Sequence, residues 1–278
     1  MRLLIKIGSL IFLILLFFKG SIWYLTDGFS VKEYYTENPS PSSPPQSART
    51  ILSQSFSYLN KGSESAIFIS EDKQWVIKIL RQNRLTPTRI RIPFPPLAKR
   101  IQAEIERKKN KRTQLYSSCQ IAFNRLSKET ELHFLSLEGA KITLDVRDKL
   151  NRPHKIDLSK CAFSLQKKAS LPYPTLVHYM QQGEVEKAKE CLSSIIRVFK
   201  ERLNRGITDD DPSIKKNIGF IGTRALFLDI GGFRESEECK DPAIQRHQIL
   251  IALLELKQWL HEHYPILEEH LESLSALI

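Results

Sequence analysis

Ile207-Thr-Asp-Asp-Asp-Pro-Ser-Ile-Lys-Lys-Asn217 is a polar loop dense in carboxylates, and two short apolar runs follow it, Ile218 to Ile221 and Ala225 to Ile230. The runs are separated by Gly222-Thr223, which predicts a hairpin, and the second leads into Asp229-Ile-Gly-Gly-Phe233. Upstream, Ala188, Leu192, Ile195, Ile196, Phe199 and Leu203 recur at three- and four-residue spacing. That period predicts an amphipathic helix, and Gly206 supplies a left-handed stop. Downstream, Asp241 followed by Pro242 has the form of a helix cap and first position, and the helix should run to Tyr264 before Pro265.

Toward the N-terminus the pattern changes from helix to strand. Ala66 to Leu80 contains two apolar runs around Glu71-Asp72-Lys73, as expected for two strands and a tight turn. Leu97 to about Lys128 lacks glycine and proline and predicts helix, in one or two pieces. Leu132 to Leu137, Lys141 to Val146, Lys155 to Leu158 and Ala162 to Gln166 read as a small antiparallel sheet, with Asp148 to Pro153 as a hairpin loop.

The run Ile7 to Phe18 is apolar apart from Gly8 and Ser9, with Arg2 and Lys6 before it and Lys19 after it. No small-residue cleavage pattern follows, so residues 7–25 are expected to act as an uncleaved membrane anchor, a cleaved secretory leader being the alternative. Asn38-Pro-Ser-Pro-Ser-Ser-Pro-Pro45 favours extended backbone and reads as a spacer. The expected organisation is therefore an anchor over 1–28, a linker over 29–50 and a folded domain over 51–278. The four cysteines lie far apart without zinc-ligand spacing and are expected to be reduced and structural.

At this point the order of elements from about Phe56 to Phe233 resembles the protein kinase superfamily. Leu59-Asn-Lys-Gly62-Ser-Glu-Ser65-Ala-Ile67-Phe68 aligns with the glycine-rich loop, keeping only Gly62 of its three glycines. Val76-Ile77-Lys78 is similar to the Val-Ala-Ile-Lys strand, and Asn217 with Asp229-Ile230-Gly231 resembles the catalytic-loop asparagine and the Asp-Phe-Gly motif. The resemblance implies an α+β, two-lobed kinase-like fold, with a sheet-rich N-lobe over about 51–168 and a short helical C-lobe over about 169–278. It implies ATP bound by Gly62 and Lys78, Mg²⁺ held by Asn217 and Asp229, and Asp209 or Asp211 as catalytic base. The residues themselves also fit a turn aspartate, a capping asparagine and a surface lysine.

The chain departs from the family in several places. No His-Arg-Asp precedes the loop, Asn217 lies six residues after Asp211, and no Ala-Pro-Glu follows Phe233. Glu104, Glu106 and Glu129 all compete as partner of Lys78. The expectation is thus a membrane-anchored nucleotide-binding protein, either an atypical phosphotransferase or a pseudokinase scaffold.

The other reading is a basic adaptor. Of the net charge of +11, most falls between Arg81 and Arg112, where eleven basic side chains meet only Glu104 and Glu106. Such a block suits anionic lipid or an acidic protein. Nucleic acid is disfavoured because no aromatic side chain interleaves the basic helix from Lys99 to Arg112. Walker A and Gly-x-Ser-x-Gly are absent, which argues against P-loop enzymes and serine hydrolases.

Overall fold

The computed structural model describes residues 20–21, 24–36, 39–85 and 95–277. The chain forms two compact units, one of residues 1–108 and 136–165, the other of residues 109–135 and 166–278.

The first unit is built on a sheet. A short helix α1 (Gln46–Leu52) precedes β1 (Ser55–Lys61), β2 (Ser65–Ser70) and β3 (Trp75–Leu80). These strands pair antiparallel, with Tyr58 opposite Phe68 and Phe68 opposite Ile77. Alternation selects the buried face: Phe56, Ala66, Phe68, Ile77 and Ile79 are fully buried. The β2–β3 turn falls where the sequence predicts it. Lys73 takes the left-handed conformation there (φ 60°), and the Asp72 carboxylate accepts from the Ser70 hydroxyl (2.5 Å) and the Gln74 amide (2.9 Å).

One long helix, α2 (Pro95–Arg125), then leads into β4 (Leu132–Ser136), β5 (Thr143–Arg147), β6 (Pro153–Asp157) and β7 (Phe163–Lys167). The expected hairpin loop joins β5 to β6, which pair antiparallel with Leu144 opposite Ile156. These four strands do not make a separate small antiparallel sheet. They join β1–β3 in one seven-stranded sheet of order β4-β7-β3-β2-β1-β5-β6, in which β5 runs parallel to β1 with Val146 opposite Phe56. The reason is that β1 has an open edge of backbone donors and acceptors. Pairing with β5 satisfies them and continues the buried face through Leu144, Val146 and Ile156.

The second unit is mostly helical. It contains α3 (Pro172–Gln181), α4 (Val185–Asn204), β8 (Ile207–Asp209), β9 (Ile218–Ile221), β10 (Arg224–Phe227), β11 (Phe233–Glu235), α5 (Pro242–His263) and α6 (Pro265–Ala276). The six apolar positions read from the sequence of α4 are all buried. Each fully buried large aliphatic or aromatic side chain contributes about 1.5–3 kcal/mol. Gly206 ends the helix region at φ 70°, and Asp241 caps α5 by accepting from the Ala243 and Ile244 amides. Strands β9 and β10 form the predicted hairpin, and the Ser194 hydroxyl of α4 accepts the Ala225 amide at 2.7 Å.

Three hairpin strands, a long helix, further strands, two helices, a carboxylate-rich loop and a second hairpin thus make a mixed α and β architecture with a seven-stranded sheet. The anchor expected over residues 7–25 lies almost wholly outside the described residues. Among the described residues no helix is long and apolar enough to cross a membrane. All four cysteines are buried and unbridged, and burial pushes the Cys161 and Cys191 thiols up to about 12.

Candidate functional site

The loop after α4 is organised by a buried ion pair. Arg202 and Asp209 meet at 2.8 Å, with side chains 1% and 5% exposed. The guanidinium lies 5.0 Å from the ring centres of Phe199 and Phe227 and 5.9 Å from that of Phe233. Aromatic faces and one carboxylate thus replace the water that this cation has lost. Asp209 also accepts the Asp211 amide (3.1 Å), and its strand β8 pairs with β11, with Asp209 opposite Phe233. A Cβ at Gly232 would overlap the Asp209 carboxylate, so glycine is required for this close approach.

Electrostatically the pair is costly. Burial pushes the Asp209 carboxyl up to about 6, Arg202 and the Asp211 amide pull it down, and the nearby carboxylates of Asp229 and Asp211 raise it further. Burial likewise lowers the Arg202 guanidinium from its usual range. Of the two candidate bases, Asp209 is therefore committed to Arg202, and Asp211 is the one exposed to solvent.

Asn217 is buried at the end of a short helical turn, Ile214–Asn217. Its amide group donates to the Asp211 carbonyl at 2.8 Å, and its own carbonyl accepts the Leu228 amide at 2.7 Å. The base loop, the asparagine and the strand before Asp229 are thereby held together. The exposed Asp229 carboxylate accepts the Gly231 amide at 3.0 Å, and its Oδ2 takes no partner among the described residues. Asn217 Oδ1 and Asp229 Oδ2 are hard oxygen donors of the kind Mg²⁺ takes while keeping several waters. Among the described residues no three His, Cys, Asp or Glu side chains cluster as metal ligands.

Ser118 was not singled out by sequence reasoning. Buried on α2, it donates to the Ile230 carbonyl and accepts from the Phe233 amide, both at 2.6 Å, and so brackets the Asp229–Phe233 turn. The signal was present as a lone hydroxyl among the buried Leu115, Cys119 and Ala122. Arg202 is the parallel case, a lone cation beside Val198, Phe199 and Leu203 on the buried face of α4.

In the first unit, Gly62 lies in the exposed β1–β2 turn, its amide bonded to the Ser65 carbonyl at 2.8 Å. Lys78 is half-buried on β3, opposite Ile67 and between the buried Ile77 and Ile79. Of the competing glutamates, Glu104 accepts two hydrogen bonds from Arg107 and Glu129 is paired with Arg205 at 2.7 Å. Arg81, counted above with the basic block, is buried and paired with Glu33 at 3.1 Å, which removes it from any surface patch.

No family model matches the chain, and no curated protein matches it. Among solved structures, one of WbdD is 14% identical, with 80% of this chain and 45% of that one covered at a TM-score of 0.40. The ROP18 kinase domain in complex with AMP-PNP and sucrose is 13% identical, covering 64% and 51% at 0.33. Rv3197 from Mycobacterium tuberculosis, in complex with erythromycin, is 14% identical, covering 81% and 56% at 0.36. The chain spans about half the length of these proteins. Likenesses this distant decide no activity, and the functional reading stands on the chain's own loop and turn.

Proposed function

We propose that this chain is a nucleotide-binding protein of the kinase-like class, with Asp229 and Asn217 as its Mg²⁺ ligands and Asp211 as its base. The observation that carries the reading is the hydrogen bond from the Asn217 amide to the Asp211 carbonyl. It engages the nitrogen of the Asn217 side chain, which leaves the oxygen for a cation, and it ties the Asp211 backbone to the asparagine in spite of the extra residue in the loop.

The roles follow from charge and exposure. Asp211 accepts the proton of an acceptor hydroxyl, since it is exposed and not ion-paired among the described residues. Asp209, with Arg202, keeps the loop in shape. Bound Mg²⁺ supplies neutralisation of phosphate charge. In the first unit Gly62 and Lys78 are the residues assigned to the phosphates of ATP. Membrane attachment through residues 7–25 and docking of the basic helix on anionic lipid belong to the same proposal.

The test is thermal unfolding of the full chain with and without Mg²⁺ and ATP, because a ligand that binds only the native state raises the melting temperature. Ligand at 100 times its dissociation constant adds about 2.7 kcal/mol. The expected outcome is a Mg²⁺-dependent rise that Asp229→Ala abolishes. No rise at millimolar nucleotide, or a rise that Asp229→Ala leaves intact, sinks the assignment.

A further inference from the structure

The chain reaches the first unit's sheet through a tight reversal. Asp27 and Gly28 both take the left-handed conformation (φ 50° and 62°), and the Phe29 amide donates to the Thr26 carbonyl at 2.9 Å. Tyr24 and Leu25, which precede the reversal, are 77% and 49% exposed. Residues 27–34 are fastened down. The Asp27 carboxylate accepts from the Tyr58 hydroxyl at 2.8 Å and pairs with Lys149 at 3.0 Å. Lys61 donates to the Asp27 and Gly28 carbonyls at 2.8 and 3.3 Å and lies 3.4 Å from Glu33. Glu33 also pairs with Arg81, whose Nη1 donates to the Gly62 and Ser63 carbonyls at 3.5 Å. The Phe29 ring lies 5.0, 5.9 and 6.0 Å from those of His154, Tyr34 and Phe68, and Tyr34 is fully buried.

These bonds set the reversal beside the β5–β6 loop. Because β5 runs parallel to β1, the loop that follows Arg147 lies toward the same end of the sheet as Lys61. The loop reads Asp148-Lys-Leu-Asn-Arg152, with the Asp148 side chain hidden, Leu150 43% exposed, and Lys149 and Arg152 exposed on either side of it. A single exposed leucine needs no explanation. Here three exposed apolar side chains, Tyr24, Leu25 and Leu150, all lie within three residues of one ion pair, Asp27 with Lys149, and they gather where the apolar run of the N-terminus ends. Each loop cation also has more N–H donors than its carboxylate takes.

We propose that the β5–β6 loop, together with Tyr24 and Leu25, is a membrane-contact surface: Leu150 enters the bilayer interface, and Lys149 and Arg152 reach the lipid phosphates beside it. This rests on the reading of residues 7–25 as a membrane anchor and adds a second point of contact to it. The reach of the chain carries the step. Two residues span at most about 7 Å. The polar layer on each side of the hydrocarbon core is itself about 5–8 Å deep. With residues 7–25 held in the bilayer, the Asp27–Lys149 pair therefore has no length of chain with which to leave the headgroup layer, and the loop that carries Lys149 stays there with it.

The experiment uses the full chain reconstituted into vesicles of phosphatidylcholine and phosphatidylglycerol. All four native cysteines are buried, so a cysteine introduced on the surface can be labelled selectively with an environment-sensitive fluorophore. One variant is Leu150→Cys. The control is Lys73→Cys in the β2–β3 turn, which lies toward the other end of the strands: Ser70 is opposite Phe56 and Ala66 opposite Lys61. Those two pairs are about 16 Å apart along β1. On reconstitution the label at position 150 should shift to the blue and be quenched by spin-labelled lipid, and the label at position 73 should do neither. Vesicle-bound protein whose label at position 150 is shifted and quenched no more than that at position 73 overturns the contact surface and leaves the anchor standing. Protein that fails to float with the vesicles overturns the anchor reading, and the contact surface with it.

Discussion

Two aspartates, one in each unit, both have side chains with little exposure and are driven in opposite directions. Asp148, in the β5–β6 loop, has a side chain 0% exposed, and Asp209 has one 5% exposed. Burial alone would raise both carboxyls. Asp148 is brought down to about 2 because Arg152 and His154 bond it from their side chains and the Arg152 and Leu150 amides from the backbone. Its carboxylate is 2.8 Å from Arg152 Nε, 2.9 Å from His154 Nε2, and 2.9 and 3.0 Å from the two amides. Asp209 has one buried cation, one backbone amide and two carboxylate neighbours, and it goes up to about 6. Depth of burial and the number of donors together decide the charge state of a carboxylate: Asp209 lies deeper in the protein than Asp148 and has fewer donors. The loop that carries Asp148 satisfies its own aspartate. The loop that carries Asp209 leaves its aspartate with fewer donors and close to the carboxylates of Asp211 and Asp229.

The largest effect should come from breaking the Asp209 pair. Arg202→Met leaves a buried carboxylate without its cation, and we expect a loss of about 3–5 kcal/mol in urea unfolding. The double change Arg202→Met with Asp209→Leu should recover most of that loss. A double variant as unstable as the single one would mean that the ion pair itself, and not the stranded charge, supports the loop.

The next effect is in pH. A folded-state carboxyl lowered below its unfolded value contributes stability that is present above about pH 4 and is lost as pH falls toward the folded value. For Asp148 this amounts to about 2 kcal/mol between pH 4 and pH 2, and Asp148→Asn should remove that dependence. Asp209 has the opposite sign. Its raised carboxyl binds a proton more readily in the folded chain, so stability should fall as pH rises from about 4 to about 6, and Asp209→Asn should flatten that limb. Melting temperatures of the two variants across this range would show both limbs, and a common sign would defeat the comparison.

The smallest effect lies on the same hairpin as Asp148. Lys155 and Asp145 are 3.9 Å apart with side chains 79% and 63% exposed. Lys155→Ala should change stability by less than about 0.5 kcal/mol in the same urea assay, since a solvated pair gains little. A larger loss would show that proximity alone, without burial or donors, carries energy here.

Much of the fold was legible in the chain. The apolar period of α4, the Gly206 stop, the Asp241 cap and the hairpin over Ile218 to Phe227 all follow from local pattern, and each is where it was expected. The Asp211–Asn217 loop and Asp229 turn could be named because their order along the chain is itself informative. Asp148 could be placed in a hairpin loop but its network could not be read, since four donors converge only when the loop closes. Ser118, Arg202 and Glu33 were visible only as polar residues at unremarked positions.

By itself, then, the sequence located α4, the cap of α5 and the β9–β10 hairpin, because backbone preference and apolar period act over a few residues. It also determined which chemical groups the loop after α4 would carry. Tertiary structure alone decided that β5 lies parallel to β1, that Asp209 is given to Arg202 while Asp211 faces water, and that Arg81 leaves the basic block to hold the β1–β2 turn. Those outcomes depend on partners 7 to 90 residues away, such as Phe56 and Val146 or Glu33 and Arg81. A charge buried beside its counterion and a strand edge seeking its complement are settled by what the folded chain brings near, which no local pattern encodes.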